Sequence, residues 1–440
     1  MNFDMQQSIA NYIEFPKKEK PLLRYAPDGG TERLAFHCKD LWFISIPHEF
    51  KDWISLSEEE GQAGSFMVKI ETRPYQGQTF RKGFVTLNCW DEQVRIPLIQ
   101  YPPFVPIADP CFKQYLIDHF DNDQDGELTY EEACQITELS LDDPNIETLQ
   151  GMEYLVNLTS LKFEVPLEKL TSLDVSQNTA LQELDCSGKF LHQCPITQLD
   201  VSQNKALTKL NCSYCRITHL DVSHNKALTS LNCDFNQLTC LDITQNKELT
   251  SLICDSNQLS NLDVTQNKEL TKLVCYKNQL TSLDLTQNKE LTWLSCGSNQ
   301  LTSLDVTQNK ELTGLECASN RLTSLDLTQN KELIHLDCSS NKLTSLDITQ
   351  NKALTALECG SNQLTSLDIT QNKELKELWC WSNQLTSLDL SQNKSIKTLN
   401  IRMKGLLKTL YVFPHFEWDQ LLEWCHSKDD CTQIIKRKES

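Results

Sequence analysis

The densest run of chemically capable side chains is Asp121–Glu132, which reads DNDQDGELTYEE. Its acidic residues and central glycine fit the D-x-D-x-D-G-x5-E pattern of a calcium loop at every defining position. Calcium takes about six to eight oxygen ligands, and the loop can supply them. Asp121, Asp123 and Asp125 offer carboxylates, Glu127 its carbonyl, Thr129 a water-mediated contact, and Glu132 both carboxylate oxygens. Gly126 permits the sharp turn and Leu128 anchors the loop to a core. Helices are expected on both sides, over Phe112–Phe120 and Tyr130–Leu139. A single loop suits a structural ion better than a paired sensor. The alternative is an acidic helix cap without metal.

The 19 cysteines suggest disulfides or zinc until their spacing is read. Cys212, Cys233, Cys254, Cys275, Cys296, Cys317, Cys338, Cys359 and Cys380 follow one another at a constant 21 residues, with Cys186 one imperfect repeat earlier. A cysteine recurring once per repeat fills a core position as a small hydrophobe. Stacked neighbours would carry parallel side-chain vectors, a poor geometry for bridging. Cys212 and Cys215 form a C-x-x-C pair, but zinc needs a second pair and the sequence offers no convincing one nearby. Cys425–His426 is the nearest Cys/His pairing. Adjacent side chains point in different directions, and the roughly 45 residues after the array are too few for an unaided catalytic domain. No enzymatic activity is expected.

These residues are positioned by a repeat that dominates 170–395. One unit, from Leu270, reads LTKLVCYKNQLTSLDLTQNKE and begins again at Leu291; about ten are visible. Each has two halves, L-x-x-L-x-C-x-x-N and L-x-x-L-D-[VIL]-[ST]-x-N. In the first half Leu273 and Cys275 alternate inward while Val274 and Tyr276 face out. One unit has too thin an apolar stripe to fold alone, so stability must come from stacking. Ten strands about 4.8 Å apart give a body of about 50 Å. Two asparagine ladders, Asn236 through Asn383 and one including Asn246, Asn267, Asn288 and Asn309, are expected to satisfy turns from inside. An aspartate ladder (Asp242, Asp263, Asp284 and onward to Asp389) stacks like charges. The Lys268, Lys289 and Lys310 ladder, turn amides, or a bound cation could relieve it.

The scaffold positions barely change, whereas the outward strand positions vary. Before the second leucine stand Lys272, Trp293, Gly314, His335, Ala356 and Glu377; between leucine and cysteine, Val274, Ser295, Glu316, Asp337, Glu358 and Trp379; after the cysteine, Tyr276, Gly297, Ala318, Ser339, Gly360 and Trp381. Uniformity on one face and diversity on the other predicts a scaffold and a recognition surface. Aromatic side chains are favoured interface anchors. Tyr276, Trp293, Glu316, His335, Asp337, Glu358, Glu377, Trp379 and Trp381 are therefore the candidate partner-binding residues. Repeat drift is the alternative.

A net charge of −19 argues against a nucleic-acid partner. The short basic runs at Lys17–Lys20 and Lys436–Lys438 read as solvated tails. No apolar run reaches 18 residues, so no membrane-spanning helix is expected. The opening MNFDMQQSIANYIEF lacks the basic and apolar regions of a secretory signal. The expected organisation is a tail (1–30), a small β-sandwich (31–104), a helical EF-hand-like cap (105–165), a β-rich solenoid (166–395), and a C-terminal cap and tail (396–440). Within the sandwich, Phe66–Glu71 and Gly83–Asn88 alternate as strands. Ile146–Phe163 would cover the first repeat, and Ile401–Cys425, with Phe413, Phe416, Trp418 and Trp424, would close the last.

The repeats resemble the leucine-rich-repeat family across roughly half the chain. In detail they look like repeat proteins of gut and oral Bacteroidota, with Leu291–Asn309 (LTWLSCGSNQLTSLDVTQN) a close match. Such proteins often carry a calcium-loop helix pair ahead of the array. Asp52–Gln100, with DWISLSEEEGQAG and RKGFVTL, is similar to the BACON-type immunoglobulin-like domain. The design is also similar to that of internalin-type adhesins. The resemblance implies a secreted or cell-surface binding or adhesion protein with a protein ligand on the concave strand face. The alternative is a carbohydrate or mucin ligand held by the sandwich and a Trp379/Trp381 shelf.

Overall fold

The computed structural model describes residues 12–16, 20–403, 406–416, 423–425 and 433–436. It divides into two compact units, 1–136 with 149–156, and 137–148 with 157–440.

In the first unit, nine strands form two sheets: β1 (Ile13–Glu14), β2 (Leu23–Tyr25), β3 (Gly30–Cys38), β4 (Trp42–Ser45), β5 (Ile54–Leu56), β6 (Glu60–Gly61), β7 (Gly64–Thr72), β8 (Arg81–Cys89) and β9 (Glu92–Gln100). The sheet orders are β1-β3-β7-β5 and β2-β9-β8-β4-β6. All pairings are antiparallel except β2 with β9. Alternating side chains from both sheets, among them Leu34, Phe36, Val68 and Ile70 from one and Trp42, Val85, Leu87 and Ile96 from the other, meet in one core. The segment assigned to a tail supplies β1 and β2, because Ile13, Leu23 and Tyr25 bury into that core. Strands of two or three residues are too short to show a period in sequence.

Helix α1 (Pro110–Phe120) follows. Proline sits in its first turn, where a missing N–H costs nothing, and the Asp109 side chain accepts from Cys111 N and Phe112 N. The expected second helix is much shorter than Tyr130–Leu139. Helix α2 spans only Tyr130–Ala133, started by a reciprocal Thr129/Glu132 cap. Its continuation, Glu138–Leu141 (β10), alternates Leu139 and Leu141 inward and joins the repeat sheet, so tertiary pairing overrides helical propensity.

That sheet has 14 parallel strands among the described residues, from β10 and β11 (Ser160–Phe163) through the repeats to Thr398–Asn400 and Glu423–Cys425. The register is one repeat per rung: Lys272 pairs with Trp293, Trp293 with Gly314, and Gly314 with His335. Both ends extend beyond 166–395. Leu141, Phe163 and Ile401 occupy the place of the column cysteine, which hides these turns from a search for the repeat. The expected caps are thus partly strands of the same sheet. Trp418 and His426 lie outside the described residues.

The interior is as the period requires. Leu270, Leu273 and Cys275, and their equivalents in the repeats that follow, are fully buried. The cysteines from Cys38 to Cys380 are all free. Burial pushes the Cys275 and Cys380 thiols up to about 12, so they are neutral packing groups. In the first ladder Asn278 Nδ2 donates to Cys254 O (3.0 Å) and Cys275 O (3.1 Å), and its Oδ1 accepts from Leu259 N (3.0 Å). In the second, Asn288 Nδ2 donates to Val264 O (3.0 Å) and Asn267 O (2.8 Å). Each ladder therefore stitches consecutive turns together.

The residue before each first-ladder asparagine is left-handed, from Phe235 (φ 49°) to Ser382 (φ 55°), and so is Tyr214 (φ 52°), which precedes Cys215. That conformation is costly for non-glycine residues, and a backbone bond to the next turn recurs there: Tyr214 N donates to Asp234 O and Phe235 N to Asp255 O. The aspartate ladder is relieved within each turn. Asp263 Oδ1 accepts from Thr265 N (2.9 Å) and Thr265 Oγ1 (2.7 Å), and the neighbouring turns repeat the motif.

Candidate recognition surface

Each repeat strand presents two outward residues flanking an inward leucine, and a third follows the buried cysteine. Parallel in-register pairing turns these positions into three columns. In the first, the Trp293 and His335 rings lie parallel, with centroids 6.0 Å apart and planes 4° off. They span the rung of Gly314, where a Cβ would overlap the Trp293 ring. Two further aromatics also lie on glycines of adjacent rungs. A Cβ on Gly297 would come within 3.1 Å of Tyr276, and one on Gly360 within 2.5 Å of Trp381. The glycines leave room for these rings against the neighbouring turn.

The middle column brings Glu316, Asp337 and Glu358 onto consecutive rungs, followed by Trp379. Burial and then the charges of Asp337, Glu377 and Glu316 hold the Glu358 carboxyl above the usual range, while His335 opposes them. His335 Nε2 lies 3.8 Å from Glu316 Oε1. Opposite this acidic row the third column offers only Ala318, Ser339 and Gly360, an open flank closed at one end by Trp381. Both tryptophans are half-buried, and the Trp379 indole N–H is enclosed without a hydrogen-bond partner among the described residues. Tyr276 is the more exposed aromatic, at 41%.

The acidic loop has its own geometry. Asp121, Asp123 and Glu132 each bring an oxygen to within 4.8 Å of the others. Asp121 accepts from Gln124 N (2.7 Å) and Gly126 N (2.9 Å), and the Gly126 amide holds its carboxyl below the ordinary range. Glu132, almost fully buried, accepts from Asn122 N (2.7 Å) and Thr129 N (2.9 Å). Asp125 accepts from Glu127 N (2.8 Å). Left-handed Gln124 and Gly126 make the turn (φ 62° and 83°), and Leu128 is fully buried.

Two features escaped the sequence reading. Phe190 and Leu191 are 72% and 80% exposed at the tip of an insertion. Phe190 meets Tyr214 edge-on at 6.4 Å, and Tyr214 stacks on Phe235 at 4.3 Å, so the insertion's ring joins a pair on the left-handed column. Second, Cys240 is the exposed cysteine among those described, beside His219, Asp221 and Asp242 in a hollow of about 540 Å3. A departure from the repeat (His219, Cys240 and Asn261 where later turns carry serine) was the available signal.

Residues 133–246 match the family model described as the endo-beta-N-acetylglucosaminidase EndoS LRR domain. The chain is 34% identical to the functional domain of InlJ from Listeria monocytogenes, a structure that includes a cysteine ladder, over 70% of this chain and 66% of that one, with a TM-score of 0.57. The array is a leucine-rich-repeat domain. An internalin, inlF, of Listeria monocytogenes shares the fold at 19% identity, covering 73% of this chain and 96% of that one, with a TM-score of 0.53. The leucine-rich-repeat chain spans 66% of the InlJ structure's length. No curated protein matches the sequence. Among the described residues no helix is long and apolar enough to cross a membrane.

Proposed function

We propose that this chain is a non-catalytic binding protein, secreted or displayed at the cell surface, whose outward strand face recognises a protein partner. The observation that carries the reading is the concentration of variation in three columns, where aromatic rings seated on glycines border an acidic row. Interfaces concentrate their energy in such aromatic anchors, and the clustered carboxylates favour a segment bearing Lys or Arg. Probing a peptide array and a glycan array with the full chain tests this. Retention of basic peptides is expected, weakened by salt and by Glu316→Lys with Glu358→Lys. Peptide retention unaffected by those substitutions, or glycan retention alone, would contradict it.

Glycan recognition is the second reading. What favours it is the set of aromatic rings, Tyr276, Trp293 and Trp381, packed against glycines of the outward face, since sugar rings stack on aromatic side chains. The two-sheet unit then serves as a BACON-like accessory domain.

The Asp121–Glu132 loop is a proposed structural calcium site. The donor set fits, since three carboxylates converge and the left-handed turn at Gln124–Gly126 folds the chain around them. Asp121, Asp123, Asp125 and Glu132 would hold the ion through carboxylates, Glu127 through its carbonyl and Thr129 through water. Its chemistry is charge neutralisation, which joins the end of α1 to the start of α2.

A further inference from the structure

The first asparagine ladder changes chemistry at its beginning. From Asn236 to Asn383 asparagine stands three residues after the column cysteine, but the two preceding turns carry Cys215 and, after a five-residue insertion, Cys194. Backbone bonds fix the alignment. Cys194 N donates to Tyr214 O (2.9 Å) and Arg216 N to Ile196 O (3.0 Å), just as Gln237 N donates to Ile217 O (2.9 Å) one turn later. Cys194 and Cys215 are therefore register neighbours. Adjacent strands lie about 4.8 Å apart, inside the roughly 4.4–6.8 Å between Cα atoms that a disulfide spans.

Cys215 stands not in the cysteine column but three residues after it, at the ladder position. Its Sγ donates to the carbonyls of Cys186 and Ser213, at 3.5 Å each. As a substitute for asparagine it is poor. Asn236 Nδ2 reaches Cys212 O at 2.8 Å, whereas Cys215 Sγ stands 3.5 Å from Cys186 O. The asparagine stitch between turns is missing where two thiols stand as register neighbours.

We propose that Cys194 and Cys215 are an oxidation site, closing to a disulfide that staples the two turns in place of the missing asparagine bonds. Cys186 is the less suitable partner because it aligns with Cys212: Cys186 N donates to Asn211 O as Cys212 N donates to Asn232 O. Both candidate thiols are buried, so closure takes place as the chain folds, with a small-molecule disulfide as oxidant. One protein thiolate attacks that disulfide, releasing a thiol and leaving a mixed disulfide. The second protein thiolate displaces the remaining small-molecule thiolate. Two protein S–H bonds and one S–S bond break, one protein S–S bond forms, and the two electrons and two protons leave on two small-molecule thiols. The staple pins the root of the insertion hairpin, whose Lys189–His192 bridge presents Phe190 and Leu191.

The test is refolding of the full chain with oxidised and reduced glutathione, followed by peptide mapping without reductant. A linked pair of peptides containing Cys194 and Cys215, lighter by two hydrogens, is expected. The thermal midpoint of the oxidised chain should fall on adding reductant, whereas Cys215→Asn, which restores the ladder residue, should melt alike with and without it. Free Cys194 and Cys215 in an oxidatively refolded chain of native circular dichroism would overturn the proposal. So would a Cys186–Cys215 link.

Discussion

At the scale of single residues, the acidic loop and the cysteine column show opposite uses of burial. The column thiols lose solvent, stay neutral and pack. Asp121, Asp123 and Glu132 are instead drawn together against their mutual repulsion, with backbone amides supplying part of the compensation. A divalent ion would supply the rest. Calorimetric titration of the full chain with calcium should show one site, and Glu132→Gln should abolish the heat. The same variant should also remove any calcium-dependent rise in thermal midpoint. Absence of heat with the native sequence would end the calcium assignment.

The repeat element explains how so little apolar chain per turn holds together. Each turn contributes leucines and a cysteine to the core, and its asparagines convert loop carbonyls into bonds between turns. Asn309→Ala removes donors to Leu285 O (3.1 Å) and Asn288 O and leaves buried carbonyls unpaired. About 1–3 kcal/mol of stability should be lost, measured by urea unfolding; a neutral result would show that the ladder is decorative. The aspartate ladder acts through its turns. Thr286 N and then Oγ1 hold Asp284 below the ordinary 3.8, and the same arrangement recurs at Asp326 and Asp347. A carboxylate depressed on folding stabilises above its unfolded value and loses that contribution as pH falls through its folded one. Thermal midpoints should therefore drop below about pH 3.8, and Asp284→Asn with Asp326→Asn should flatten that drop. Equal slopes would contradict it.

Across the whole molecule, legibility followed periodicity. The interval between Cys212 and Cys380 was enough to place the strands, their register, the inward column and both asparagine ladders, because stacking admits only one alignment per turn. Where another residue stood in the cysteine's place, at Leu141, Phe163 and Ile401, the period was invisible and the array was read too short. Strands β1 and β2 were hidden by their brevity. The left-handed column carried no glycine to announce it; tyrosine, phenylalanine, serine and lysine all occupy it, each turn repeating one backbone bond to the next. On the face itself, sequence alone identified the variable columns. That Trp293 would stack with His335 across Gly314, or that aromatic rings would settle on glycines, depends on rotamers only the packed sheet selects.

The most direct test of the recognition surface compares the two faces of one scaffold. Ligands selected from a displayed peptide library against the full chain should be remeasured on Trp293→Ala with Glu358→Ala, and on Ser303→Arg with Ser324→Arg in the uniform half of the repeat. A loss of roughly tenfold or more in affinity on the first variant, with the second binding as the native chain does, is the expected result. Equal binding by all three, or loss only on the second variant, would show that the varied columns are not where this protein meets its partner.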